Sequence, residues 1–527
     1  IEILNGASSA LYGTNAIGGV INIITDDVKN AINVSSDTRY ASKGRFTQSV
    51  NIDVNTGKFG SYTSYRRQQA EGWQLNPYEE NSKTHELEET GKVASTGFYA
   101  NTVNQKFTFD ATDKLSFYAR GGYYDNKTRR PYEAYDYNIL HETFNYGIGA
   151  QYMINKGNYI TADCYADHFS SSYCFFKDNK TYNGKAGEEQ VRKRTRNHNL
   201  SIKGIFKLGN RHKLSVGTEY IVDVLKSQTD NIAKEDAYTL ALFAQDEIKL
   251  LRNLQALIGV RYIYHENFKN HATPNVALMY KPGKFNFRAS YAAGFRTPTL
   301  SELYATDIAK KNDRLTIGNL DLKPEKNNYF SLSAEYVHER FSVSVNAFYN
   351  NIRDMIDYNT IATGDKAMEQ YGHKEVRQRD NIAEAKVHGI NVSANAYLGA
   401  GFNLSGGYTH LNTQDVELEQ PIDKSIKNAY NINAQWAHSW KIYRLNINLN
   451  GRFNSKRFSK SYGYAPEYQL WDLNTRHSFN LKSVIIEPGC GMENLFDYMD
   501  DRPYNSNYAT LTPGRSFYIS LSLKFKS

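Results

Sequence analysis

Ile1-Glu2-Ile3-Leu4-Asn5-Gly6-Ala7-Ser8-Ser9-Ala10-Leu11-Tyr12-Gly13-Thr14-Asn15-Ala16-Ile17-Gly18-Gly19-Val20-Ile21-Asn22-Ile23-Ile24-Thr25 opens the chain. Two short apolar runs, 1–4 and 20–24, flank a stretch built from Gly, Ala and Ser, and each run reads as a strand. Gly6, Gly13, Gly18 and Gly19 allow tight turns and close backbone approach between them. A hairpin alone decides little. Its weight comes from residues 31–525, a long series of alternating segments.

In 341–349, Phe341, Val343, Val345, Ala347 and Tyr349 alternate with Ser342, Ser344, Asn346 and Phe348. Tyr443, Leu445, Ile447 and Leu449 alternate with Arg444, Asn446, Asn448 and Asn450, and Phe517, Ile519, Leu521, Leu523 and Phe525 with Ser and Tyr partners. Period 2 with one apolar face is the signature of a strand. The polar face is rich in Ser and Asn, which suits a wet lumen. Counting such segments from 31–40 to 515–525 predicts about 22 strands, the size of a plugged outer-membrane barrel. Connections alternate in length. Short turns fall at 55–57, 111–113, 155–157, 209–210, 282–283, 338–340 and 398–400. Long segments fall at 69–95, 126–141, 170–190, 225–235, 294–325, 353–383, 411–427, 454–468 and 496–514. Short turns on one rim and long loops on the other predict a transmembrane β-barrel with its loops outside the cell.

Composition agrees. Mean hydropathy is −0.63, and no apolar run approaches the length a spanning helix needs; a barrel stays polar on average because only alternate residues meet lipid. Tyr is abundant, 41 of 527 residues, while Pro is only 11, as ladders of strands require. The net charge of +8 is spread along the chain rather than gathered on one element, which argues against nucleic acid and leaves two readings, ordinary solubility or attraction of an anionic ligand or of lipopolysaccharide phosphates. Of the three cysteines, Cys164 and Cys174 are candidates to pair across the top of a strand and its loop, and Cys490 stands alone. No zinc spacing, nucleophile elbow, HExxH, P-loop or dinucleotide fingerprint is present, and no cofactor or enzymatic activity is expected.

The opening stretch resembles the end of the plug domain of TonB-dependent outer-membrane receptors, which reads roughly IEVLRGPxSxLYGxxAIGGVINIIT. Asn5 stands for the usual Arg and Ala7 for the usual Pro; Gly6, Tyr12, Gly13, Gly18 and Gly19 match. Two further strings are similar to the same family: 381–391 (NIAEAKVHGIN) to its NxxxAxxxGxE strand, and Asn494-Leu495-Phe496-Asp497 with Pro513-Gly514-Arg515 to its NLFDxxY…PGR end. The final strand ends on Phe525 followed by Lys526 and Ser527 where the family usually places a terminal aromatic. The resemblance implies an all-β fold, a plug remnant over 1–27 and a 22-stranded barrel over 31–527, with most of the plug and any TonB box upstream of Ile1. It implies a Gram-negative outer-membrane location. It also implies uptake of a metal chelate, a ferric siderophore or haem, with energy from the TonB complex. A cobalamin receptor and, as another class, a passive porin are the alternatives.

For the ligand, 294–304 (GFRTPTLSELY) and 318–326 (GNLDLKPEK) resemble the FRAP…NPNL pair of haem receptors, with Thr297 for Ala and Leu320 for Pro. No His lies between them, so Tyr304 is the only haem-iron ligand that loop offers. Arg296 and Arg314 would attract an anionic ferric chelate; His85 and His373 lie in other outer loops. Glu79, Glu80, Glu86, Glu88 and Glu89 crowd one loop and suggest calcium, or a solvated tip. Arg192, Lys193, Arg194 and Arg196 cluster where a loop enters a strand, facing lipopolysaccharide, a chelate or a salt-bridge set.

Overall fold

A computed structural model describes residues 2–5, 19–22, 31–81, 84–309, 313–506 and 512–526. Twenty-two strands form one closed antiparallel barrel. The first, Ile32–Ala41, pairs with the last, Ser516–Lys526, in register from Asn33↔Lys526 to Ala41↔Tyr518, so no edge is left open. Glu2–Asn5 and Gly19–Asn22 pair antiparallel in a separate two-stranded sheet, which takes in 2–4 and 20–22 of the two opening apolar runs; Ile1, Ile23 and Ile24 lie outside the described residues. Gly6, Tyr12, Gly13 and Gly18 lie outside the described residues.

The alternation in sequence becomes the two faces of the wall. Along Ser516–Lys526, Phe517, Ile519, Leu521, Leu523 and Phe525 are exposed while Tyr518, Ser520 and Ser522 are not. Phe341, Val343, Val345 and Tyr349 behave likewise. A soluble sheet would bury this face, so its exposure around the wall marks a lipid belt. Ile447 and Leu449 are only half-exposed. The inner face is laced by short polar side chains: Asn33 to Asp53 (2.9 Å), Asn51 to Ser35 (3.1 Å), Ser290 to Ser331 (2.7 Å) and Ser344 to Ser393 (2.7 Å). Among the described residues the barrel shows no central apolar core; the buried apolar clusters are small, and two of the three described involve the outer third of the wall.

All the expected strands are present, and the differences lie at the outer rim. The segments 126–141, 170–190, 225–235 and 353–383 are not free loops over their length. Tyr137–Asn155, Asn158–Phe175, Ile232–Leu251, Phe341–Thr363 and Glu375–Gly399 continue through them. These extensions carry no row of exposed apolar residues alternating with polar ones; apolar side chains there, among them Phe175, Ile232, Ala362 and Val376, are buried instead. The rim is also not uniformly long-looped. Ala41 turns back to Arg45 and His265 to Lys269 within three residues. The candidate pair Cys164 and Cys174 is not joined, since all three cysteines are free. Both lie on Asn158–Phe175, ten residues and so about 33 Å apart along a strand, far beyond the Cα separation of about 6 Å that a disulfide needs.

Candidate functional site

The loop after Phe285–Arg296 is built around a five-residue helix, Leu300–Tyr304, with Thr299 and Glu302 forming a capping box. It continues through Thr306–Ala309 and Arg314–Ile317. The latter adds in parallel to the strand Glu375–Gly399, with Arg314 opposite Glu375 and Ile317 opposite Gln378. Gly318 is required there, because a Cβ would meet the Leu303 carbonyl at 2.4 Å. Asn319 donates to the Arg379 carbonyl (3.0 Å), and Asn381 accepts from Lys323 N–H (2.7 Å) while donating to the Asp354 and Lys323 carbonyls. Two asparagines of the recognisable strings are thus staples between loop and wall. Asn494 closes its own turn in the same way, bonded to Tyr498 N–H and C=O.

Arg296 was expected at the chelate. Its guanidinium is instead occupied by two carboxylates, giving Nε to Glu325 at 2.8 Å and Nη1 to Glu302 at 2.9 Å, with further bonds from Nη2 to each. It ties the top of the strand to the helix cap. Burial pushes the Glu302 carboxyl up, but Arg296 and the Thr299 N–H outweigh it and hold it below the usual range. Tyr304 packs near Glu235 and Glu266, and burial first, then those charges, push its phenol up. His373 is bonded to Asp313 (2.9 Å) and is largely buried, beside Arg314 in the same hairpin junction. His85 stands apart on another loop, bonded to Glu80 (2.8 Å) and well exposed. The structure brings Arg314 and His373 together and leaves His85 elsewhere. In the glutamate-rich loop Glu79 is held by Lys92 (2.8 Å), Glu80 by His85 and Glu88 by Asn81. Among the described residues no three acidic, His or Cys side chains converge as a metal site.

The outer mouth carries a different cluster. Tyr137, Tyr173 and Phe175 lie on the face opposite Phe144, Tyr146 and Ile148, which are exposed to lipid, so they face the lumen. Tyr137 and Tyr173 stack with ring centroids 4.1 Å apart, and Tyr182 from the following loop stands edge-on at 5.8 and 5.1 Å. The Arg192 guanidinium lies 5.4 Å from the Tyr173 ring and 5.0 Å from Tyr182; Arg130 lies 4.0 Å from Tyr135 and 5.0 Å from Tyr137. Burial and the neighbouring Tyr137 push the Tyr182 phenol up, so it stays neutral beside the cations. Arg192 gives Nη1 to Gln228 (2.9 Å). Its Nε, and Nη1 of Arg130, are buried with no hydrogen-bond partner among the described residues. Guanidinium groups beside flat rings suit an anionic, aromatic ligand. Sequence reading singled out only Arg192 of this set. The rings meet across strands, 36 residues apart for Tyr137 and Tyr173, so no local pattern marks them.

The family model described as TonB dependent receptor-like, beta-barrel matches residues 40–487. The chain is a TonB-dependent receptor. It is similar to the ferric enterobactin receptor PfeA of Pseudomonas aeruginosa, at 17% identity over 99% of this chain and 84% of that one, with a TM-score of 0.83. It also resembles the siderophore receptor PirA of Acinetobacter baumannii (16%, 99% and 84%, 0.79) and the FrpB iron transporter of Neisseria meningitidis (14%, 99% and 87%, 0.75). At these identities the likeness is one of fold. The family and the closed barrel put the receptor in the outer membrane of a Gram-negative bacterium.

Proposed function

We propose that this receptor captures an anionic ferric siderophore with aromatic, catecholate-type donors, and releases it inward with energy from the TonB complex. The observation that carries this reading is the Tyr137–Tyr173–Tyr182 cluster with Arg130 and Arg192 over its rings. A ferric catecholate is a polyanion edged with flat rings. Stacking and guanidinium hydrogen bonds both serve it, whereas a neutral corrinoid would leave the arginines unused. Haem gains less support, because His85 and His373 are each engaged by a carboxylate where they stand. One of the similar structures is named a ferric enterobactin receptor and another a siderophore receptor, which supports this ligand class. Residues 1–27 are assigned to the plug on their resemblance to the family's plug end. Tight capture at the mouth opposes release, so transport requires an external input and the protein is a transporter rather than an enzyme.

The test is uptake of radiolabelled ferric catecholate by cells carrying the full-length receptor, with and without the inner-membrane energy complex. Uptake only in the energised cells supports the proposal. Equal uptake in both would assign a passive pore.

A further inference from the structure

The seam between the first strand and the last is the one pairing in the barrel that no turn connects. Every other pair of neighbouring strands is joined by its own stretch of chain, and in a hairpin the turn fixes the register. Apolar alternation excludes a slip of one residue at the seam, which would turn the outward row inward, but it permits a slip of two. A slip of two would change the stagger of the barrel while every apolar row still faced lipid. The native register, from Asn33↔Lys526 to Ala41↔Tyr518, therefore needs a further determinant.

The lipid side does not supply it. At the outer end of the seam the wall carries an open hollow of about 610 Å³ lined by Tyr40, Leu473, Thr475, Met492, Phe517 and Ile519, so the side chains there do not interlock. The lumen side is different. Glu493 ends the penultimate strand, Val484–Glu493, and two arginines from across the seam converge on it. Arg39 of the first strand gives Nη2 to Glu493 Oε1. Arg45, which begins the second strand, gives Nη2 to Glu493 Oε2 (2.6 Å) and to Ser516 Oγ. The Arg39 guanidinium lies 3.8 Å from the centre of the Tyr518 ring. That ring fills the space left by Gly491, where a Cβ would meet it at 2.5 Å. The Ser42 N–H donates to the Phe517 carbonyl (2.9 Å), and the Ser42 hydroxyl accepts from the Phe517 N–H (3.0 Å). Toward the other end, Asn33 and Ser35 bond to Asp53 and Asn51 of the second strand instead. Among the described residues no side-chain hydrogen bond or ion pair crosses the seam from 33 to 37.

We infer that Arg39, Arg45 and Glu493 form a clamp that fixes the register in which the first strand closes onto the last. A slip of two residues would move the arginines about 7 Å relative to Glu493, Ser516 and Tyr518 together. Each ion pair is partly exposed and weak alone; their joint geometry selects one register. The clamp depends on the closed barrel and not on which chelate is imported.

The test uses the full-length receptor, with its natural cysteines replaced by Ser, refolded from urea into lipid vesicles and then oxidised. Asp37 and Ser522 lie opposite one another in the native register, so Asp37→Cys/Ser522→Cys reports that register and Asp37→Cys/Lys524→Cys reports a slip of two. With the clamp intact the native pair should link and the slipped pair should not. Glu493→Gln should raise the slipped link relative to the native one roughly tenfold, the combined weight of two partly exposed ion pairs. Arg39→Gln/Arg45→Gln should do the same from the opposite side of the seam, so a folding failure in one variant leaves the other as the reading. Glu247→Gln removes an ion pair to Lys213 (3.0 Å) between strands that a turn already joins, and should leave both links unchanged. No rise of the slipped link in the clamp variants, or an equal rise in Glu247→Gln, would overturn the assignment.

Discussion

Replacing Arg296 with Ala removes four hydrogen bonds at once, to Glu302 and Glu325. Glu325 is 8% exposed and its Oε1 also accepts the Ile356 N–H at 2.9 Å, so its carboxylate cannot turn away. Two shielded carboxylates would face one another. Removing one partner of a buried pair costs about 3–5 kcal/mol. The Arg296 side chain retains 22% exposure, which places the cost near the lower end, about 3 kcal/mol. That is roughly a hundredfold rise in the open population of the loop. Hydrogen exchange of the amides in 299–305 and 314–317 reads it directly. Arg296→Ala should also weaken chelate binding indirectly, by loosening the loop. The variant Arg296→Leu/Glu302→Gln/Glu325→Gln, which leaves no carboxylate unpaired, should restore both exchange protection and affinity. Unchanged exchange in Arg296→Ala, or an affinity that stays lost in the neutralised variant, would refute the brace and return Arg296 to the chelate.

Val345→Arg, on the lipid-facing row of Phe341–Thr363, should destabilise the barrel in bilayers by about 2–4 kcal/mol if it lies near the midplane, and less near the interface. Urea titration in vesicles measures this, and an unchanged midpoint would reverse the assigned face. The Glu302 carboxyl titrates below its ordinary value of about 4.3. The brace is therefore fully present above that value and is lost as the pH falls through the folded one, so loop protection, taken relative to the intrinsic exchange rate at each pH, should be flat down to about 4 and fall below it. Protection that fell already near neutrality would point to a different titrating group. Asn381→Ala strands the Lys323 N–H and the Asp354 carbonyl and should cost the loop about 1–3 kcal/mol, seen as faster proteolysis within 318–325 and an unaltered barrel melting transition.

The wall was legible because lipid and lumen impose opposite demands on alternate residues. The row Phe517 to Phe525 needs no context to be read as outward. The strings shared with the family were legible too, yet Asn319, Asn381, Asn494 and Gly318 prove to be turn and staple residues. Asn494 bonds only four residues on, but Asn319 and Asn381 bond across 60 and 58 positions, so their strings were legible by family resemblance and not from a local demand. The vestibule is the reverse case. Tyr137, Tyr173, Tyr182 and Arg192 converge only through pairing of neighbouring strands and a register shift at Ser171/Ser172. Arg296 looked like a ligand residue because its two carboxylates, six and 29 positions away, become its neighbours only after the strand pairs with Glu325–Val337.

The most direct measurement is a binding titration of ferric catecholate to the full-length receptor, followed by quenching of intrinsic tryptophan fluorescence; Trp73 lies in an outer loop, bridged to Ser95. It should be run for the natural protein, Arg192→Gln and Tyr173→Leu. Each guanidinium hydrogen bond to a charged oxygen contributes about 1.5–3 kcal/mol, and stacking on an aromatic about 0.5–1.5 kcal/mol. Arg192→Gln should therefore weaken binding roughly 10- to 150-fold, and Tyr173→Leu by a smaller factor, with circular dichroism and melting unchanged. Natural affinity in both variants, or selective nanomolar binding of cyanocobalamin or haem in place of the catecholate, would contradict the account.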